Sequence, residues 1–291
     1  MNEKLFNKVF NLFILFGMIA VVVGVNIYKM SQPEADIVKN LVVTLGAVMG
    51  VFNCVMSANG LIWNFLFGIV NVSICAYTNY DSGNMGQFLL HTCYFLPMQF
   101  VGIWQWHKRG AGKNDDGKQA APKALRLSRN QWLIVAASVV VGIAGVYTLL
   151  YYLDVARLGS ADLVEKDKIL LDTVVMVLNI VGQILLSLCF SDSWYIWVLV
   201  NIFSIALWLN RTIAEGQGGY GVVMVVKYCF FFINSLNGVR IWRKLSRRGR
   251  RTPRARGASR PSRRCATRSR QCAAAPAAAL SAGSWRIRGG R

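Results

Sequence analysis

Two stretches decide how this chain folds: Trp63-Asn-Phe-Leu-Phe-Gly-Ile-Val-Asn71 and Trp194-Tyr-Ile-Trp-Val-Leu-Val-Asn201. Each is followed one apolar run later by a Gly/Trp segment, Gln99-Phe-Val-Gly102-Ile-Trp-Gln-Trp106 in the first case and Asn237-Gly238-Val-Arg-Ile-Trp242 in the second. Asn71 and Asn201 lie 130 positions apart, while Gly102/Gly238 and Trp106/Trp242 lie 136 apart, so the second copy carries a loop about six residues longer. Both asparagines fall midway along segments long enough to span a bilayer, where an unpaired amide is costly. Internal repeats with polar groups at mid-depth are the pattern of a membrane transporter.

Working outward, the apolar residues come in long runs, and 54% of the chain is hydrophobic, which excludes an ordinary soluble core. Eight spans are expected, near 9–28, 38–56, 60–78, 84–106, 131–153, 168–190, 193–210 and 219–243. Each is close to the ~20 residues that cross a ~30 Å hydrocarbon layer at 1.5 Å per residue. The loop 107–130 is rich in Lys and Arg and is expected on the cytoplasmic side by the positive-inside rule. Orientation then propagates. The loop 154–167, with Asp154, Asp162, Glu165 and Asp167, faces out, and both termini face the cytoplasm.

Segments 38–106 and 168–243 become two three-helix units of the same orientation, joined through the loop and single helix of 107–153. The expected architecture is an all-α polytopic protein: one extra N-terminal helix within 1–37, then 3+1+3 helices in two parallel repeats about an axis along the membrane normal.

The net charge of +20 does not point to nucleic acid, because of where it sits. From Arg247 onward there are 14 arginines and no acid, leaving 19 basic against 13 acidic residues elsewhere. The Arg- and Ala-rich tail of 244–291 has almost no aliphatic residues and is expected to stay unfolded. Five of seven cysteines lie in apolar segments with no CxxC pair, so they read as small hydrophobes. There is no GxxxxGK[ST] phosphate loop, HExxH or GxSxG. Neither a cofactor, a metal nor a catalytic group is expected.

Polar side chains gather near one depth: Asn71, Gln99, Asn179, Gln183, Asn201 and Asn234. Trp194, Trp197 and Asn201 share one helix face, and Lys227, Asn234 and Asn237 form a second stripe. Amides read hydroxyls, and an indole stacks on a flat ring with an added cation–π attraction if that ring is charged. The ligand class is therefore a polar neutral or singly cationic solute with hydroxyls and a flat ring. Trp104, Trp106 and Trp242 sit at helix ends and read as an interfacial belt. Asn53, Asn64 and Asn210 read as helix glue, and His91 as a satisfied core histidine. Asp172 is expected to pair with a hydroxyl, an amide or Lys227. A proton-coupled carrier, or a membrane enzyme using Asp172 and Lys227 as an acid/base pair, is the alternative.

These residues resemble the PnuC-type nicotinamide riboside transporters over about 38–243. The resemblance rests on Asn64-x-x-Phe67-Gly68-x-x-Asn71, Gly102 and Trp106, Asp172, Trp194-x-x-Trp197-x-x-x-Asn201 with Ser204, Tyr228, and Asn237-Gly238-x-Arg240-x-Trp242. It implies a SWEET-like fold and facilitated uptake of nicotinamide riboside across a bacterial cytoplasmic membrane. Net flux would be kept inward by a separate cytoplasmic riboside kinase. It also adds Tyr228 to the expected ligand contacts.

Overall fold

The computed structural model describes residues 3–31, 36–81, 85–113, 119–160, 166–214 and 218–251. Helices occupy all eight expected positions: α1 (Glu3–Met30), α2 (Ile37–Ala58), α3 (Asn64–Asp81), α4 (Met85–Leu89) continuing through a π-helical turn (Leu90–Phe95) into α5 (Leu96–Lys108), α6 (Arg129–Leu158), α7 (Lys166–Ser187), α8 (Ser193–Ala214) and α9 (Gly218–Arg251). Six of them, α1, α2 and α6 to α9, are long and apolar enough to cross a membrane by themselves. The other two expected spans are α3, only 18 residues long, and the helix interrupted by the π turn. In that turn the Leu96 N–H reaches back five residues to the His91 carbonyl. Pro97 follows directly, and its missing N–H and ring disfavour a regular ladder there.

Local chemistry sets the helix ends. Asp36 caps α2 by accepting from the Lys39 N–H at 3.0 Å. Ser128 and Gln131 form a reciprocal capping box on α6, and Gly159 ends that helix in the left-handed conformation. Between α5 and α6 a two-stranded antiparallel ribbon, β1 (Gly112–Lys113) with β2 (Gln119–Ala120), starts a connection that runs under the bundle. Leu125 there exchanges main-chain hydrogen bonds with Cys189 and Ser191, and the Leu127 N–H donates to the buried Asp192 carboxylate at 2.9 Å.

The α2–α3 and α7–α8 turns are copies. In one, Gly60 N–H donates to Ser57, Leu61 to Met56 and Asn64 to Leu61. In the other, Cys189 donates to Leu186, Phe190 to Leu185 and Ser193 to Phe190. The pivot residues Gly60 and Cys189 both take positive φ, 70° and 66°. That is ordinary for glycine and strained for cysteine. The offset between the turns is 129 positions, not the 130 that aligns the asparagines.

The core of this turn end is built by reciprocal insertion. Trp106 of α5 donates from Nε1 to the Leu186 carbonyl at 2.9 Å, and Trp242 of α9 donates to the Ser57 carbonyl at 3.0 Å. Ser57 and Leu186 are themselves 129 apart. The two indoles meet edge to face at 5.2 Å. Behind each stands an aromatic pressed on a glycine: Phe65 on Gly102 and Trp194 on Gly238, where an added Cβ would lie 2.1 and 2.2 Å from the ring. Trp106 and Trp242 are fully buried, which corrects their reading as an interfacial belt. Trp106 does stand two residues from the end of α5, but Trp242 lies nine residues inside α9, and the two helices converge there. Trp104 is exposed, with the Lys108 ammonium 3.8 Å above its ring.

The N-terminal helix does not stand apart either. Ile14, Met18 and Val22 pack with Val51 and Val55 of α2 and with Phe230 of α9. Gly17 lets α1 come close, since a Cβ there would sit 2.5 Å from the Phe230 ring. Asn11 donates to Asn59 at 2.8 Å and accepts from Asn237 at 3.3 Å, while Arg240 bonds both Asn7 and Asn237. The expected loop acids Asp162 and Glu165 and the tail beyond Arg251 lie outside the described residues.

Candidate functional site

The mid-depth amides are all on helices and partly or fully buried, but the structure gives them different partners. Asn71 on α3 donates to the Gly46 carbonyl of α2 at 2.7 Å. Gly50 makes room for it, as a Cβ there would lie 2.9 Å from Asn71 Nδ2. Asn201 on α8 instead donates to Trp197 O of its own helix at 2.8 Å and to Ser235 Oγ of α9 at 2.9 Å. The two asparagines are therefore not structural equivalents. The turns preceding them repeat at 129, so one asparagine is a residue out of step, and one residue turns a helical side chain by about 100°.

Gln99 on α5 is 4% exposed, donates weakly to Phe95 O in the π turn, and lies against Gly68 of α3. Gln183 on α7 donates to Ser187 Oγ at 3.2 Å, and Ser187 in turn donates to Met98 O of α5. Asn179 donates to Val175 O within α7. Asn234 on α9 is 3% exposed and donates to Cys54 O of α2 at 3.1 Å.

Of the aromatic pair, Trp194 is part of the turn-end core, while Trp197 sits a turn deeper beside Gly182 of α7. The indole N–H groups of both are buried without a partner among the described residues, as are Ser204 Oγ, Gln99 Oε1 and Asn234 Oδ1. Buried polar atoms left open in this way are uncommon and mark places where a ligand can complete the bonding.

Three expectations change. Asp172 pairs with Arg211 of α8, whose Nη2 lies 3.0 and 3.1 Å from its two oxygens, and not with Lys227. Arg211 lies over the Trp208 ring, 5.3 Å from its centroid, while its Nη2 reaches Asp172 of α7. Lys227 lies over the Tyr228 and Phe231 rings at 5.0 and 5.9 Å. Asn237 belongs to the Asn11–Arg240 network at the turn end, not to the layer of Asn201 and Asn234. Of the expected glue residues, Asn53 joins α2 to Asn64 O at 2.9 Å and Asn64 caps its turn through Leu61 O, but Asn210 is exposed. His91 is held by Gln87 O at 2.8 Å, as expected of a core histidine.

Ser235 and Ser187 were missed from sequence. Only Ser187 had a signal in its spacing, lying one helical turn after Gln183, whereas Ser235 faces Asn201 of another helix.

Apolar helices long enough to cross a membrane, carrying buried amides and an indole on their inner faces, are the make-up of a multi-pass membrane transporter for a small polar solute. The family model described as nicotinamide mononucleotide transporter matches residues 40–244, and the chain belongs to that family. It is 34% identical over 206 residues to the nicotinamide riboside transporter PnuC of Neisseria mucosa, covering 70% of this chain and 73% of that one. Its identity to the Haemophilus influenzae protein of the same name is 28% over 204 residues, 70% of this chain and 80% of the relative. A solved structure, the vitamin B3 transporter PnuC, superposes with a TM-score of 0.61 at 29% identity, covering 84% of this chain and 93% of that one.

Proposed function

We propose that this protein carries nicotinamide riboside into a bacterial cell across the inner membrane, down the substrate gradient. The observation that carries this is the Trp197–Asn201 face on α8, where Asn201 bonds Ser235 of α9 and the buried indole N–H of Trp197 has no partner among the described residues. The indole offers a flat partner for a pyridinium ring, a contact worth about 0.5–2 kcal/mol, and the amides suit ribose hydroxyls. The relatives named for the riboside agree. Gln183 and Tyr228 are proposed contacts flanking this face, with Asn71, Trp194, Lys227, Asn237 and Asp172 serving as framework.

In this reading α2, α3 and α4–α5 form one triplet and α7, α8 and α9 a second, parallel one, a 3+1+3 SWEET-like arrangement with α6 as the linker. The copied turns and reciprocal Trp106 and Trp242 bonds support it. Alternating access moves the triplets about the amide layer, and phosphorylation of the riboside by a cytoplasmic kinase keeps flux inward. Both termini and the 107–130 loop are cytoplasmic, so an impermeant thiol reagent should spare a cysteine at 114 and label one at 160 in intact cells.

The family description names the mononucleotide, but a 5′-phosphate calls for a cationic cradle. Among the described residues, Arg211 is already engaged by Asp172 and Lys227 lies over the Tyr228 and Phe231 rings, so neither builds such a cradle. Uptake into liposomes decides the matter. Nicotinamide riboside should equilibrate without an imposed ion gradient, and the mononucleotide should neither enter nor compete. Accumulation above equilibrium under a proton or sodium gradient would show coupled transport instead.

A further inference from the structure

The connection between α5 and α6 grips the two halves of the turn end unequally. On the side of α7 and α8 the grip is made of hydrogen bonds. Leu125 N–H donates to the Cys189 carbonyl at 2.8 Å, and Leu125 O accepts from Ser191 N–H at 2.9 Å. Leu127 N–H donates at 2.9 Å to the carboxylate of Asp192, which is 3% exposed and directly precedes α8. Leu127 and Trp132 then join the apolar cluster of Leu178, Leu185, Ile196 and Val200 on α7 and α8. On the side of the α2–α3 turn there is only a surface. Ala121 and the buried Pro122 lie against Gly60, where an added Cβ would sit 2.9 Å from Ala121 Cβ and 3.7 Å from Pro122 Cδ. Among the described residues no hydrogen bond joins 121–127 to residues 57–63. The bond that ties the segment to α5, Lys123 N–H to Arg109 O at 2.9 Å, starts on an exposed residue, where water can take it over. Just beyond Arg109, Gly110 and Gly112 take φ of 81° and 126°, and an added Cβ at either would meet nothing within 4 Å. Glycine serves backbone conformation there and not close packing.

Parting the Gly60 seam costs apolar contact, whereas parting the other would strand a buried carboxylate and several main-chain groups. We propose that residues 121–127 are a strap carried by the α7–α8 half, which holds the turn end shut in this structure by resting on Gly60 and lifts off Gly60 when that end opens. The proposal rests on the two-triplet reading, in which the α2–α3 and α7–α8 turns separate to release the solute. Ala111 and Ala124 belong to the same buried cluster as Trp106 and Trp242, so the strap seals the seam that the tryptophan pair closes. Asp192 is its anchor.

A covalent tie between the strap and the first half tests this. The seven natural cysteines are first replaced, Cys189 by glycine after its counterpart Gly60. Gly60→Cys and Ala121→Cys then bring two thiols together. Cys189 shows that such a turn accepts a cysteine at this φ, and a disulfide, with roughly 3.5–4.5 Å between Cβ atoms, needs a shift of about 1 Å. In liposomes holding this full-length double variant, oxidation by copper phenanthroline should slow nicotinamide riboside equilibration by about tenfold or more, and dithiothreitol should restore it. Titration calorimetry should find the riboside bound as tightly by the oxidised protein as by the reduced one. Oxidised protein that carries the riboside as fast as reduced protein overturns the strap while leaving the riboside reading standing. A parent that carries none overturns that reading itself. A second measurement needs no variant: in the parent, the Leu125, Leu127 and Ser191 amides should exchange hydrogen together and far more slowly than that of Lys123. Leu125 and Leu127 amides that exchange as fast as Lys123 would put the release on the α7–α8 side and overturn the proposal.

Discussion

In the proposed arrangement of two triplets, the halves use the same devices to hold their turn end and different ones around the mid-depth layer. Phe65 against Gly102 has its counterpart in Trp194 against Gly238, and each tryptophan of the Trp106/Trp242 pair caps a carbonyl of the other triplet. The third helices then diverge. The first triplet's is widened by the π turn at Leu90–Phe95, while α9 is a continuous helix braced by α1 through Phe230, Asn237 and Arg240. The asparagines diverge too: Asn71 is tied to a neighbouring helix, and Asn201 to its own helix and a serine. Repetition therefore persists where two copies must pack on each other about a shared axis. It lapses where the chain must meet something that is not two-fold, such as an asymmetric ligand or a single extra helix.

The strongest way to break this comparison is to remove one member of the shared pair. Trp106→Ala and Trp242→Ala each delete a fully buried indole and leave a main-chain carbonyl unpaired. Each should lower unfolding stability by about 3–5 kcal/mol, measured by thermal unfolding in detergent. Equal losses uphold the equivalence; a loss confined to one would mean that a single triplet dominates the core. Gly102→Ala and Gly238→Ala press a Cβ into the Phe65 and Trp194 rings and should each cost about 1–3 kcal/mol.

A smaller effect separates the asparagines. Asn201→Ala should weaken nicotinamide riboside binding by roughly 5- to 150-fold, the span of one to three kcal/mol for a lost buried hydrogen bond. Asn71→Ala should leave the titration within a few-fold of the parent and lower stability by about 1 kcal/mol, because its amide joins α3 to α2. If both variants lose binding alike, Asn71 also faces the ligand and the one-residue offset is immaterial.

These outcomes bear on what the sequence could reveal. The helices were legible from the long apolar runs, and the matched α2–α3 and α7–α8 turns lie beside the motif that repeats at fixed spacing. The role of Trp106 and Trp242 was not, because an aromatic at a helix end has the same sequence signature at a lipid interface and on an internal axis. Asn71 and Asn201 looked equivalent because a motif offset of 130 hides a turn offset of 129, and a single residue moves a side chain onto another helix face. The Asp172 partner was missed because Arg211 stands near the end of an apolar run, where a cation usually flanks the membrane. The place of α1 could not be read, since the asparagines that join it to α9 are separated from Asn237 and Arg240 by more than 200 residues.

The smallest expected effect concerns the far end of the bundle, where each triplet is pinned by an ion pair of opposite sense. On the first, Lys39 of α2 pairs with Asp81 of α3; on the second, Asp172 of α7 pairs with Arg211 of α8. Asp81 and Arg211 are 130 positions apart and Lys39 and Asp172 are 133 apart, so the two bonds are alike in kind but are not register mates. The side chains of Lys39 and Asp81 are 39% and 41% exposed, and such a solvated pair contributes little. Arg211 is 23% exposed and meets both Asp172 oxygens, so this pair should contribute slightly more, about 1–2 kcal/mol after screening. Asp172→Asn should therefore lower the unfolding midpoint more than Asp81→Asn does, and the Asp172→Arg/Arg211→Asp double variant should recover most of the loss. Added salt should erase the Asp81 effect first, since its partner is the more exposed cation. Equal sensitivity to salt in the two aspartate variants would show that burial does not distinguish the pairs, and that the two triplets are as alike at this end as they are at the tryptophans.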